Sequence, residues 1–321
     1  MTASGFDSQV GYAIESPVGT FTAPTRAIEH VKFGLKSTRP DIVSQGIKTG
    51  RRSGFRRMKG VEVCAGAISH ELSPANTGLL LVNAMGAVST TGAGPYTHTI
   101  TAGPLVETRP LSIQGGVPSF DGTINPFNFV GCQVKAGSIS VKKNAAVMLD
   151  FDWVAQHLQN TGDGDTVAGL TAAVYSATWA PFTSLNAVLT INAVEYEFDE
   201  VTLKFDNGLR TGNYTSRATN PSRAKLSKEE GQRAWTMSVT SDFWNLTAMN
   251  RAYAGTEVSY SLAFTSGTTS LTVAGNCRTQ PESPTQDGVK LTGQTLNLDL
   301  LSSTSDAAAM TWTLVNSDSA P

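Results

Sequence analysis

Cysteine, histidine and charge are all scarce in this sequence. Cys64, Cys132 and Cys277 stand far apart with no CxxC pair, which removes the basis for a zinc knuckle or a dithiol redox site. They read as small buried side chains in a reducing compartment. The four histidines, His30, His70, His98 and His157, share no metal-ligand spacing with one another, with a cysteine or with an acid. GxSxG, GxxxxGK[ST] and HExxH are missing, so a serine hydrolase, a P-loop enzyme and a zinc protease have no motif to stand on. No cofactor or metal is expected, and no enzyme. The opening MTASGFDSQVGYAIE has neither a basic start nor an apolar run, so no signal peptide is read there. GLLLVNAMG falls far short of the roughly 20 apolar residues that span a bilayer. No membrane partner is expected, and synthesis in a cytoplasm is.

What remains is a chain of 321 residues with 40% hydrophobic and 16% charged residues and a net charge of −2. That suffices for a packed core and gives no overall attraction for a polyanion. Thr and Ser abound, and short runs alternate with period two, the pattern of antiparallel strands with one packed and one wet face. Val147, Leu149, Phe151 and Trp153 share a face, with Met148, Asp150 and Asp152 opposite. Val258, Tyr260, Leu262 and Phe264 fall together, as do Val31, Phe33 and Leu35, then Met237, Val239 and Ser241, then Leu296, Leu298 and Leu300.

Two segments read as helices. SPANTGLLLVNAMG has Ser73 as N-cap, Pro74 in the first turn and Gly86 as stop; DFWNLTAMNRAYAG has Asp242 as cap and Gly255 as stop. Each follows a strand directly, and the interval from cap to glycine is 13 residues in both. Further echoes accompany them. Lys32-Phe33 and Lys204-Phe205 each precede a long basic loop, LSIQGG from Leu111 matches LTVAGN from Leu271, and AAVMLDFDWV matches AAAMTWTLV. The chain is therefore read as two homologous halves, residues 1–160 and 161–321, with the linker in QNTGDGDTVAGL.

Few residues invite chemistry. Asp150 and Asp152 point to one face of a strand and form a carboxylate pair of the kind used in acid–base work, though a solvated face is the commoner use. Asp163 and Asp165 in GDGDT resemble the start of a calcium loop but lack its later ligands, so a turn is expected. The basic residues cluster in two loops. KTGRRSGFRRMKG carries Lys48, Arg51, Arg52, Arg56, Arg57 and Lys59 without an acid; the second loop carries Arg210, Arg217, Arg223, Lys225 and Lys228. Nucleic-acid binding is one reading of such a patch, but the first loop has a single aromatic, Phe55, to stack on bases. A basic loop repeated at equivalent places suggests a repeated contact with another subunit, for which Glu195, Glu197, Asp199 and Glu200 in NAVEYEFDEV are a candidate acidic complement.

IESPVGTFTAPTRAIEHVKFGLKSTRPDIVSQGIKTGRR resembles the opening of the tail tube (major tail) proteins of long non-contractile-tailed phages, and GCQVKAGSISVKKNAAVMLDFDWVAQ resembles the two closing strands of the same domain. The resemblance implies a mainly β fold of tail-tube-type sandwich or barrel domains. Each has one short flanking helix, and the barrel is completed by oligomerisation. Four strands from each of six domains would close a ring of twenty-four, and rings would stack into a tube. At about 4.8 Å between strands and roughly 40° of tilt, such a barrel has a bore of about 40 Å, wider than a DNA duplex. With two domains per chain, a trimeric ring of pseudo-sixfold symmetry follows; a hexamer using only the first half is the alternative. The implied partners are further copies, a tape-measure protein, tail-end proteins, and genomic DNA passing without specific binding. Asp150 and Asp152 become candidates for the lumen, and the basic loops for contacts between rings or subunits. A distal-tail or baseplate ring component and a carbohydrate-binding sandwich are the competing readings. The second half does not reproduce the GT…PTR opening.

Overall fold

The computed structural model describes residues 4–46, 50, 56–105, 110–177, 180–210, 231–243, 245–284, 289 and 292–321. Alternation of apolar and polar side chains produces strands almost throughout. The first half contains β1 (Gln9–Ile14), β2 (Arg26–Ile28), β3 (His30–Phe33), β4 (Lys36–Thr38), β5 (Asp41–Val43), β6 (Arg57–Lys59) and β7 (Val63–Glu71). Helix α1 (Gly78–Met85) follows, then β8 (Gly86–Thr91), β9 (Tyr96–Ala102), β10 (Leu111–Pro118), β11 (Ile124–Lys142), β12 (Met148–Ala155) and β13 (His157–Leu158). The second half contains β14 (Ala187–Ile191), β15 (Val194–Tyr196), β16 (Glu200–Asp206), β17 (Ala234–Asp242), α2 (Thr247–Ala254), β18 (Val258–Ser266), β19 (Thr269–Thr279), β20 (Gly293–Leu300), α3 (Asp306–Ala309) and β21 (Thr311–Asn316).

All pairings are antiparallel, and one order of neighbours occurs twice. In the first half β2–β1–β10–β11–β13 lie side by side through the N-terminal part of β11. The C-terminal part of β11 turns to β12, β12 pairs with β7, and β7 carries β3 and β4 on its far edge. In the second half the neighbours are β15–β14–β18–β19–β21. The end of β19 then turns to β20, which pairs with β17, which pairs with β16. Hairpin β8–β9 stands outside this scheme and lays β9 on β21.

β11 and β16 pair from Ala136↔Asp206 to Lys142↔Glu200 and so fuse the halves. The result is a run of eight strand positions: β3/β4, β7, β12, β11, β16, β17, β20 and the end of β19. It is an open sheet, not a closed barrel, within one chain. Its apolar face supplies Leu149, Phe151, Leu203, Phe205, Met237, Val239, Leu296 and Leu298, none more than 5% exposed. These pack with Val10, Tyr12, Ile113 and Phe129 of the first half and Leu262, Phe264 and Trp312 of the second in one core spanning both halves. The stretch after Gln159 lies along the first half: Asn128 Nδ2 donates to Ala168 O at 2.8 Å and Gln114 Nε2 to Gly169 O at 3.0 Å.

Three local expectations need correction. Val31 does not share the buried face of Leu35, because a register shift between His30 and Lys32 leaves Val31 63% exposed. Helix α1 begins at Gly78 with Thr77 as N-cap, not at Ser73, since Asn76 at φ 59° lies in the left-handed region and breaks the helix before it. Helix α2 begins at Thr247 because the ladder with β20 holds Asp242 in β17, opposite Gly293. Gly86 and Gly255 do end the two helices, both at positive φ. A third, four-residue helix, α3, joins them; Ser305 caps it by accepting from Ala308 N at 3.2 Å.

Candidate assembly surfaces

The first candidate surface is the polar face of the eight-position sheet. Because directly paired residues share a face, the ladders place its side chains in rows. One row runs Lys32–Ser69–Asp150–Ser138–Lys204, and continues Thr236–Asp299–Arg278. A neighbouring row runs Ala67–Asp152–Ala136–Asp206–Ala234. Asp150 and Asp152 thus lie on the face turned away from the core, with Asp150 between two serines and Asp152 between two alanines. The face is not limited to Thr, Ser, Asp and Gly. Glu71, Asp150, Asp152, Glu200, Asp206, Asp242 and Asp299 stand against Lys32, Lys36, Lys142, Lys204 and Arg278, an excess of acid. Lys142 Nζ lies 3.2 Å from Glu200 Oε1, an ion pair across the seam between the halves.

The second surface is an arm. β5 and β6 form a two-stranded sheet of their own, with Ile42 opposite Met58 and Val43 opposite Arg57. All six residues are exposed, Ile42 by 54% and Met58 by 53%. Isolated two-stranded hairpins are marginal in water, so an arm with an outward apolar pair is suited to being covered. Of the first basic loop, Arg56, Arg57 and Lys59 are among the described residues; Lys48, Arg51 and Arg52 lie outside them. Arg57 approaches Asp41 at 3.7 Å within the arm. Lys59 donates to Gly162 O at 3.3 Å and faces Asp163 at 3.4 Å. Of the second loop only Arg210 is described; Arg217, Arg223, Lys225 and Lys228 lie outside.

Asp163 is the hub at the foot of the arm. Arg39 grips it with both guanidinium nitrogens, at 2.8 and 2.6 Å, and also reaches Glu62 at 3.4 Å. The hydrogen bond from Arg39, with its charge and that of Lys59, holds the Asp163 carboxyl down to about 2. The GDGDT segment is thus a capped turn, in which Asn160 Oδ1 accepts from Gly162 N at 2.7 Å. Among the described residues no cluster of His, Cys, Asp or Glu has the make-up of a metal site. Nothing in the strand alternation singled out Arg39; only its position after β4 brings it to Asp163.

The acidic segment of the second half lines a hollow. Glu197, Asp199 and Asp242 join Arg251 of α2 and Lys143 around a cavity of about 310 Å³ between the β15–β16 connection and α2. Lys143 Nζ is 3.2 Å from Asp199. The structure does not bring this acidic segment and the described part of the basic loop together within a chain. The three cysteines are buried, and no helix among the described residues is long and apolar enough to cross a membrane.

The described residues thus form a mainly antiparallel β molecule with an open polar sheet and a projecting arm. The family model for phage tail tube proteins matches residues 5–314. The chain therefore belongs to the phage tail tube protein family, a structural component of the virion tail. A comparison with curated proteins returns no match.

Proposed function

We propose that the chain builds the tail tube as a trimeric ring, each copy contributing two tandem tail-tube domains, residues 1–160 and 161–321. The observation that carries this reading is the eight-position sheet, four positions from each half, ending on β3/β4 at one side and on β19 at the other. Open sheet edges favour pairing with another chain. Three copies of eight positions give the twenty-four strands of a ring with a bore of about 40 Å. A hexamer built on the first half alone leaves β16, β17 and β20 outside the barrel, against their direct continuation of β11.

The polar face lines the bore in this reading, with Asp150 and Asp152 in it. Its excess of acid repels phosphate, so DNA passes during ejection without being held. A tape-measure protein occupies the bore before that, and tail-end proteins cap the stack. The arm and the basic loops reach the next ring, where Ile42 and Met58 become buried. Electron microscopy of the purified protein, with mass measurement of the ring, tests this reading. Tubes with three chains per ring are expected. Six chains per ring would overturn the tandem barrel domains, and compact monomers under all conditions would overturn ring assembly.

A further inference from the structure

The seam between the halves of one chain can serve as a template for the seam between copies. The common starting points are Gly60 and Gly231. A Cβ on Gly60 would lie 1.9 Å from Pro40 O, and one on Gly231 2.9 Å from Gly208 O. Pro40 and Gly208 each stand two residues past the end of β4 and β16. Lys36 in β4 therefore holds the place of Lys204 in β16. On the other side, Ala67 and Ser238 each lie seven residues after their glycine. Ala67 faces Asp152, which faces Ala136; Ser238 faces Asn297, whose carbonyl accepts from Gln280 N at 2.8 Å. Gln280 thus takes the place of Ala136, and Glu282, two residues on, that of Ser138.

Within the chain Ser138 faces Lys204. We infer that in the ring the end of β19 and the residues that follow it to Ser283 pair antiparallel with β3/β4 of the next copy, placing Glu282 opposite Lys36 and Gln280 opposite Thr38, with Pro281 between them adding no N–H to the ladder. The inference rests on the ring reading and adds its register. The charges agree: an acid on one open edge meets a base on the other, both exposed in the single chain. Shifting the register by four residues would instead set Arg278 against Lys36, like charge against like.

The two main helices point the same way. All eight residues of α1 are buried. The second half seals it: Asn207 Nδ2 donates to Ala84 O at 2.9 Å, Arg233 donates to Gly103 O beside it, and Asn316 Nδ2 donates to Pro74 O at 2.8 Å. In α2 only Ala248 and Ala252 are buried, and Tyr253 is 69% exposed. The equivalent seal over α2 would be the first half of the next copy.

The test uses the wild-type protein assembled from equal amounts of ¹⁴N- and ¹⁵N-labelled chains. A zero-length carbodiimide couples an amine to a carboxylate only in contact, and mass spectrometry of the digest reads the product. Lys36 and Glu282 of one chain lie seven strand spacings apart, about 30 Å, so any coupling must be between copies. The expected result is a mixed-label Lys36–Glu282 cross-link in rings, lost in Lys36→Gln. Lys36→Glu should abolish rings and Lys36→Glu with Glu282→Lys should restore them. Rings seen by microscopy without that cross-link would overturn the register and leave the ring reading intact. Absence of rings from the wild-type chain would overturn both.

Discussion

Phe151 and Phe205 meet edge to face over Gly137, their ring centroids 6.0 Å apart and their planes at 67°. They belong to different halves of the chain. Gly137 of β11 is the direct partner of both, through β12 on one side and β16 on the other. A Cβ at Gly137 would lie 2.5 Å from Phe205 Cζ and 2.7 Å from Asp150 O. The absent side chain is what lets the halves share a core at their seam.

Gly137→Val should therefore destabilise the folded chain by about 2 kcal/mol or more, as overpacking of a filled core does. Thermal unfolding measures it. Ser138→Val, on the polar face one residue on, is the control and should change the midpoint little.

Phe205→Ala should cost about 3–5 kcal/mol, since the ring is 2% exposed and also packs on Trp312 at 5.6 Å. Combined with Phe151→Ala, the double-mutant cycle should give a coupling of about 1 kcal/mol. A coupling near zero would mean that the two rings add nothing across the seam beyond their separate burial.

His70 makes the fold acid-sensitive. It is 0% exposed beside Phe151, neither ring nitrogen has a hydrogen-bond partner among the described residues, and burial with help from His30 pushes its imidazole down to about 3. Unfolded chains take up this proton near pH 6.5. Stability is thus full above that value and falls as pH drops toward 3, by up to about 1.4 kcal/mol per unit. Denaturant titrations of wild type and His70→Leu between pH 7 and 4 should diverge, the variant losing less.

Ile42→Lys with Met58→Lys should leave the monomer's unfolding midpoint within about 0.5 kcal/mol of wild type, because both side chains are exposed. Tube length by electron microscopy should collapse to single rings or short stacks. Full-length tubes from this variant would remove the arm from ring stacking.

The strand faces were legible where alternation was clean. Val147, Leu149, Phe151 and Trp153 were read as one buried face, and all four are at most 2% exposed. Helix stops were legible because Gly86 and Gly255 answer a local backbone need. Helix starts were not, since whether Asp242 caps a helix or stays in a ladder depends on β20, fifty residues away in sequence. The internal echoes match segments that the pairings set one strand apart. Pairing gives β18, not Leu271 and its neighbours, the place that β10 holds beside β1. The extra hairpin β8–β9 displaces the strand count after α1. In the register inferred above, Lys204 takes Lys36 rather than Lys32 as its counterpart.

Composition, spacing and alternation by themselves determined a β protein with a packed and a wet face to each strand, two helices with glycine stops, and loops concentrated in arginine and lysine. Those are local properties, set by side-chain polarity at period two and by backbone strain at single residues. Tertiary structure alone decided that β11 splits between two runs of neighbours, that β16 completes its edge, and that β3/β4 and the end of β19 remain open among the described residues. Strand partners are chosen by core packing across residues far apart in the chain. Nothing in the local sequence marks Lys36 and Glu282, because an edge exists only once every other strand has found its place.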